Sequence, residues 1–500
     1  MFRPCQIPTT DALGDDRVVE RPRRDLPHAQ GWLGIGLVGA IRSPKLTVVG
    51  IWQRFAALGL IGMLAACGAT SVSPRPSART ESLPASSAAT QPPAEGAVEP
   101  APGSESTVYA PNPRAIVVAI DAGHGGCLDW GVPDPSERGV QLAEKTLTLE
   151  IARDLRDRLE AQGIGVLMIR DGDDALAGDD YPPLGCEGPP WRDVNGDGRS
   201  GFGDDELPEA TRTRDELQAR LDLANLAGAD ALVSIHINAP SEGGQRIEIA
   251  FSETFYTDET PWGDQTERLA GGVQAGIVDR LGALADYERG DRGITAHNFY
   301  IVAPPLLEET ADRPNRWAQP TRGGLMPVIL SEVGSITLRA EHDLLASEAG
   351  QAAVAEGLLA GLAEFFDARE IGARIAMEDG SSSAPTPVEG DGPPFWPAAI
   401  SGETVRLRLT NTGTSAWGPA TQLVAGWTET DDPYPAFAPE APQVLDAEVP
   451  VLGPGESVVI GVSLPPAPAN RGVAWISLMS DGETFADNGS PALLLSSQAP

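Results

Sequence analysis

Lysine is almost missing from this chain. Lys45 and Lys145 are the two in 500 residues, so the 36 basic side chains are nearly all arginine, against 71 acidic ones. The resulting net charge of −35 excludes a simple cationic nucleic-acid binder, which needs a basic face. Cysteine is scarce as well. Four residues, Cys5, Cys67, Cys127 and Cys186, are too few and too scattered for a cysteine-type zinc site. Long apolar runs are lacking: residues 55–66 are apolar over the length of a signal peptide, too short and Gly-rich for a membrane span. Histidine is rare, with five in all.

Two of those histidines stand in informative settings. His124 lies in Asp121-Ala-Gly-His-Gly-Gly126, just after the apolar run 115–120, which predicts a buried strand. His236 ends a second run in Val233-Ser-Ile-His-Ile-Asn-Ala239, and Glu332 ends a third in Pro327-Val-Ile-Leu-Ser-Glu-Val-Gly334. In open α/β sheets, ligands gather at the carboxyl ends of strands. Glu144 instead opens a helix whose apolar stripe is Leu147, Ile151, Leu155 and Leu159, a spacing of four residues. It lies on the inward side, where an unpaired charge is costly. Three of these four residues make a workable zinc ligand set. The fourth is a carboxylate for general base work.

These motifs, followed in order by Arg220-Leu-Asp-Leu-Ala-Asn225 and Arg292-Gly293, resemble the zinc-dependent N-acetylmuramoyl-L-alanine amidases of the family 3 type, which cut bacterial peptidoglycan. The resemblance spans residues 114–371. It implies that His124, Glu144 and His236 bind zinc and that Glu332 is the catalytic glutamate. The bond cut would join muramic acid to L-alanine of the stem peptide. Asp121 and Asn238 are candidates for supporting or substrate contacts. The family often has Gly-Phe where Gly334-Ser335 stand here. Two rival functions share these residues: a catalytically inactive wall-binding scaffold on the same fold, and a zinc peptidase of different bond preference. Retention of all four residues speaks against the first.

The address is legible in Leu64-Ala-Ala-Cys67, which resembles a bacterial lipobox behind Arg42, Lys45 and Arg54. Cleavage would leave lipidated Cys67 as the first residue, anchoring an extracytoplasmic protein to a membrane at the cell envelope. Outside the cytoplasm Cys127 and Cys186 can form a disulfide.

The expected organisation follows from composition. Residues 1–66 are an N-terminal extension and lipoprotein signal peptide. Residues 67–113, rich in Ser, Pro and Ala, are a disordered tether. Residues 114–371 form an α/β catalytic domain, with a mostly parallel or mixed sheet flanked by helices. Its strands are expected near 115–121, 164–170, 231–237, 246–251, 299–303 and 327–333, and its helices near 143–162, 213–227, 264–285 and 341–367. An insertion, 172–212, contains Asp193-Val-Asn-Gly-Asp-Gly-Arg-Ser-Gly-Phe-Gly-Asp204. That spacing follows an EF-hand calcium loop and is similar to dockerin loops, with Asp at the last position. Asp193, Asn195, Asp197 and Asp204 would offer side-chain oxygens to calcium, and Arg199 its carbonyl. After a linker at 372–394, residues 395–500 alternate Val405, Leu407, Leu409 and Val458, Ile460, Val462, the pattern of a β-sandwich. Trp396, Trp417, Trp427 and Trp475 resemble the four-tryptophan Ig-like domains. That resemblance names a fold and not a ligand, and the tryptophans are expected in the core.

Overall fold

The apolar run after residue 115 becomes β1 (Val117–Ala122), and the stripe of α1 (Glu144–Ala161) lies against it, with Leu147, Ile151, Leu155 and Leu159 all buried. The computed structural model describes residues 115–126, 129–132, 139–177, 193–195, 214–304, 322–378, 386–387, 395–400, 404–429, 442–467 and 472–497. After α1 come β2 (Gly165–Met168), α2 (Arg214–Leu226), β3 (Ala231–Asn238), a short β4–β5 hairpin (Ser241–Glu242, Gln245–Arg246), β6 (Phe251–Tyr256), α3 (Gly263–Leu284), β7 (Gly290–Ala296), β8 (Val328–Ser335), α4 (Arg339–Leu345) and α5 (Glu348–Ala368). Among the described residues no helix is long and apolar enough to cross a membrane.

Six of these strands form one mixed sheet in the order β2-β1-β3-β8-β6-β7. The first four run parallel; β6 pairs antiparallel with β8, and β7 parallel with β6. Side chains alternate between the faces of a sheet. Val118, Ile120, Val233, Ile235, Ile329 and Val333 face α1, α3 and α5. Ala119, Leu232, Leu330 and Phe255 face Leu221 and Ala224 of α2. His236, Glu332 and Glu253 share that second face, because they are paired in register across β3, β8 and β6. Helices α3 and α5 cross at glycines: a Cβ on Gly276 would stand 2.2 Å from Gly357 O, and one on Gly361 2.3 Å from Val273 N. The expected stripe of α3, Leu269, Val273, Ile277 and Leu281, is fully buried.

Three expectations need correction. Residues 299–303 are a turn, half-buried at Phe299 and Tyr300 and buried from Ile301 on, and not a strand, while the edge strand β7 lies at Gly290–Ala296. An apolar run signals burial, and Ile301 and Val302 are buried beside α2 without pairing. The strand expected at 246–251 is β6, displaced to Phe251–Tyr256. The single helix expected at 341–367 is broken into α4 and α5. Ser347 caps α5 by accepting from Gly350 N, where a Cβ would meet Leu344 O at 1.9 Å.

The C-terminal region holds two antiparallel sheets. One is β15-β12-β9, from Ser457–Ser463, Thr404–Asn411 and Ala373–Met377; the other joins β14 (Gln443–Val444), β13 (Gln422–Glu429), β16 (Gly472–Ser480), β17 (Glu483–Thr484) and β18 (Leu493–Ser496). The short strands β10 (Thr386–Pro387) and β11 (Phe395–Trp396) pair with each other. Both sheets contribute to one apolar cluster that includes Leu407, Leu409, Leu423 and Ile476. Trp417 and Trp475 are buried and Trp427 half-buried, donating from Nε1 to Pro465 O; the Trp396 side chain lies outside the described residues. Strand β9 falls within the stretch expected as linker, with four residues between it and the end of α5. The two regions are packed together. Leu226 and Leu325 join Val424, Val473, Trp475 and Leu494 in one cluster, and buried Arg369 bonds both Asp230 and Thr412. Asp230 and Leu325 precede β3 and β8, so this junction lies at the opposite end of those strands from His236 and Glu332.

Candidate active site

The carboxyl end of β1 turns sharply through 122–126. His124 adopts φ 62°, the left-handed region, at a cost of roughly 1–2 kcal/mol for a residue with a Cβ. Gly123 leaves room for a neighbour: a Cβ there would stand 2.6 Å from the His236 ring. The two imidazoles therefore meet edge to face, with centroids 4.7 Å apart.

Glu144 enters between them from the first turn of α1. That turn is capped by a loop, since Glu144 N and Lys145 N donate to Val132 O and Trp130 O. The same loop and β3 hold the carboxylate. Glu144 Oε2 accepts from Val132 N at 2.8 Å, and Oε1 from Ile237 N at 2.9 Å. Oε1 also stands 3.2 Å from His124 Nε2 and 3.3 Å from His236 Nδ1. Donor atoms of His124, Glu144 and His236 all lie within 4.8 Å of one another. Burial pushes the Glu144 carboxyl up, but the two imidazoles outweigh it and hold it far below the usual carboxylate range.

His124 is oriented by Asp129, whose Oδ1 lies 2.7 Å from Nδ1 and also accepts from Gly131 N. Burial lowers the pKa of His124, while Asp129 first and Glu144 next raise it by more, so the net shift is strongly upward. Among the described residues its buried Nε2 has no hydrogen-bond partner. Nothing in the local sequence marks Asp129, which lies outside any strand or helix.

Glu332 stands opposite His236 in the β3–β8 register and opposite Glu253 in the β8–β6 register. Among the described residues its buried Oε2 has no hydrogen-bond partner. Burial raises its pKa well above the ordinary value, and Glu144 and Glu253 add to the rise while His124 opposes it. Glu253, which no local motif marks, accepts from Thr295 Oγ1 at 3.0 Å and lies 3.7 Å from Arg292 Nη1.

The other expected residues are more dispersed. Asp121 is buried beneath the loop, bonded to Arg220 at 2.6 Å and Ser234 at 2.7 Å. Burial raises its pKa, Arg220 and Ser234 outweigh this, and it is held low. Asn238 is half-buried at the end of β3, where its carbonyl accepts from Ile336 N. Asp193 and Asn195 lie beside α2, because Val194 N and Asn195 N both donate to Asp215 Oδ1. Asp197, Arg199, Asp204, Cys67, Cys127 and Cys186 lie outside the described residues.

Residues 118–364 match the family described as N-acetylmuramoyl-L-alanine amidase. The chain is similar to the uncharacterized protein YqiI of Bacillus subtilis (strain 168), 25% identical over 250 residues, covering 50% of this chain and 84% of that protein. It is also similar to the germination-specific N-acetylmuramoyl-L-alanine amidase of the same organism, 33% identical over 127 residues, 25% of this chain and 40% of that protein. The chain thus spans less than half the length of that second relative. A solved structure, the N-acetylmuramoyl-L-alanine amidase from Clostridium difficile 630, is similar over 51% of this chain and 98% of that one, at 27% identity and a TM-score of 0.34.

Proposed function

Because residues 118–364 form a domain of the N-acetylmuramoyl-L-alanine amidase family, we propose that this chain hydrolyses peptidoglycan at the amide joining N-acetylmuramic acid to L-alanine of the stem peptide. The observation that carries this reading is the convergence of His124, Glu144 and His236 beside Glu332, whose buried Oε2 has no hydrogen-bond partner among the described residues. The three residues fit zinc. Bonds of about 2.0–2.1 Å in a tetrahedral arrangement put donor atoms roughly 3.3 Å apart, and Glu144 Oε1 lies 3.2 and 3.3 Å from the two imidazole nitrogens. A buried Nε2 on His124 with no hydrogen-bond partner among the described residues suits the same assignment.

Zinc bound there supplies a Lewis acid for the scissile carbonyl and lowers the pKa of water to about 7. The chain's residues do the rest. Asp129 keeps the proton on His124 Nδ1, leaving the Nε2 lone pair for the metal. The amides of Val132 and Ile237 fix the Glu144 carboxylate in place, and the two imidazoles keep it ionised. Glu332 takes a proton from the attacking water and returns it to the leaving amine nitrogen. Its raised pKa suits a carboxyl that must both accept and release a proton near neutrality. The test is digestion of purified peptidoglycan by the full chain, with and without a zinc chelator. New L-alanine amino termini that vanish on chelation are expected; new reducing sugar ends or other amino termini would overturn the assignment.

The remaining features belong to the same proposal. Lipidated Cys67 would hold the enzyme at the envelope outside the cytoplasm, which the mass of the mature N-terminal peptide tests. Asp193, Asn195, Asp197, Arg199 and Asp204 would bind calcium and stiffen the insertion, with a Cys127–Cys186 disulfide as a second brace. Calcium should then raise the melting temperature, and Asp193→Ala with Asp197→Ala should abolish the rise. An unresponsive wild type would sink the calcium site. The C-terminal sheets would form an Ig-like sandwich.

A further inference from the structure

Arg170 follows β2 and is buried, yet its guanidinium is spent on backbone carbonyls. Nε donates to Ala122 O at 2.8 Å, Nη2 to Gly123 O at 3.0 Å and Lys145 O at 2.7 Å, and Nη1 to Gly172 O at 2.8 Å. Ala122 and Gly123 lead into His124, and Lys145 follows Glu144. One side chain thus joins the two segments that carry two of the three converging donors. The fit is close: a Cβ on Gly125 would stand 2.9 Å from Arg170 Cδ.

Other buried cations complete the pattern. Arg220 donates to Ala122 O at 3.0 Å and His124 O at 2.8 Å. Lys145 Nζ donates to Gly126 O at 2.7 Å. The peptide planes on both sides of His124 are therefore fixed by cationic donors, and those planes set its left-handed φ of 62°. Arg220 and Lys145 also bond carboxylates, Asp121 and Asp173, so part of their role is charge pairing. Burial, then the charge of Arg220, lower the pKa of Arg170 to about 10, which leaves it a cation at neutral pH. Only arginine has a planar fork of five donors able to span several acceptors at once.

We propose that Arg170 is a positioning residue of the metal centre: its guanidinium locks the His124 loop to the first turn of α1 and so sets the separation of His124 and Glu144. The inference rests on the zinc reading above. Arg170 acts through the backbone beside the ligands, whose carbonyls it bonds. It carries an experimental signature that a general stabilising role lacks.

The test compares wild type, Arg170→Met and Arg170→Lys in the full chain. Zinc affinity is read by chelator competition, and hydrogen exchange is followed by mass spectrometry. We expect Arg170→Met to weaken zinc on the order of 10–100-fold, the scale of outer-shell changes. Exchange should rise in 121–126 and not in α3 or α5, and lost turnover should return with excess zinc. Arg170→Lys keeps the charge but not the fork, and should show the same selective change; it serves if the methionine variant fails to fold. Unchanged zinc affinity with unchanged exchange at 121–126 would overturn the proposal, as would uniform loosening of the whole domain. A wild type that takes up no zinc would overturn the metal reading instead, and the exchange comparison would then decide the lock by itself.

Discussion

Asp129 Oδ1 stands 2.7 Å from His124 Nδ1, while the other ring nitrogen points to Glu144. The pairing suits the zinc site proposed above, in which Nδ1 would hold a proton and Nε2 would offer a lone pair. Asp129→Ala should therefore weaken zinc binding by roughly 10–100-fold while the fold persists. Chelator competition measures this, and an unaltered affinity would remove Asp129 from the account.

Glu332 predicts a pH dependence. Its folded pKa is raised by burial and by Glu144 and Glu253, so the folded state keeps a proton that the unfolded state has released. Its contribution to stability is complete below the ordinary value of 4.5 and is lost as pH rises through the folded value. In metal-free protein, Glu332→Gln should remove this loss. The difference in melting temperature, variant minus wild type, should grow as pH is raised from about 4.5 towards the folded value. A difference that is flat or shrinks with pH would show that Glu332 is not held protonated.

The junction makes a third prediction. Arg369 and Asp230 are both buried, 2.6 Å apart, and Arg369 also bonds Thr412 on the other side. Removing one partner of a buried pair costs about 3–5 kcal/mol. Arg369→Ala should lower the melting temperature of the two regions together, as seen by calorimetry. Unchanged melting would show that the contact adds nothing to stability.

What could be seen in the sequence followed from periodicity. The stripes of α1 and α3 are regular, and each was buried as its spacing implied. His124, His236 and Glu332 were visible because each follows an apolar run, and Glu144 because it shares the side of a stripe. Asp129, Arg170 and Glu253 were invisible because their importance comes from contacts made through space: a loop folded back on His124, a guanidinium spanning two segments, and a register between antiparallel strands. Strand β7 escaped because Gly-Asp-Arg-Gly-Ile-Thr-Ala is a polar edge with little buried surface. Strand β9 was hidden because Ala-Arg-Ile-Ala-Met adjoins a Ser, Pro and Gly tract whose composition reads as linker.

The central claim is a division of labour, in which three residues hold zinc and the fourth moves protons. The most direct measurement is zinc content and turnover on purified peptidoglycan for wild type, His236→Ala and Glu332→Gln, prepared identically. The account predicts that His236→Ala loses both zinc and activity. Glu332→Gln should keep zinc as the wild type does and lose activity by a factor on the order of 10² or more. Full zinc in His236→Ala, or near-normal turnover in Glu332→Gln, would contradict it.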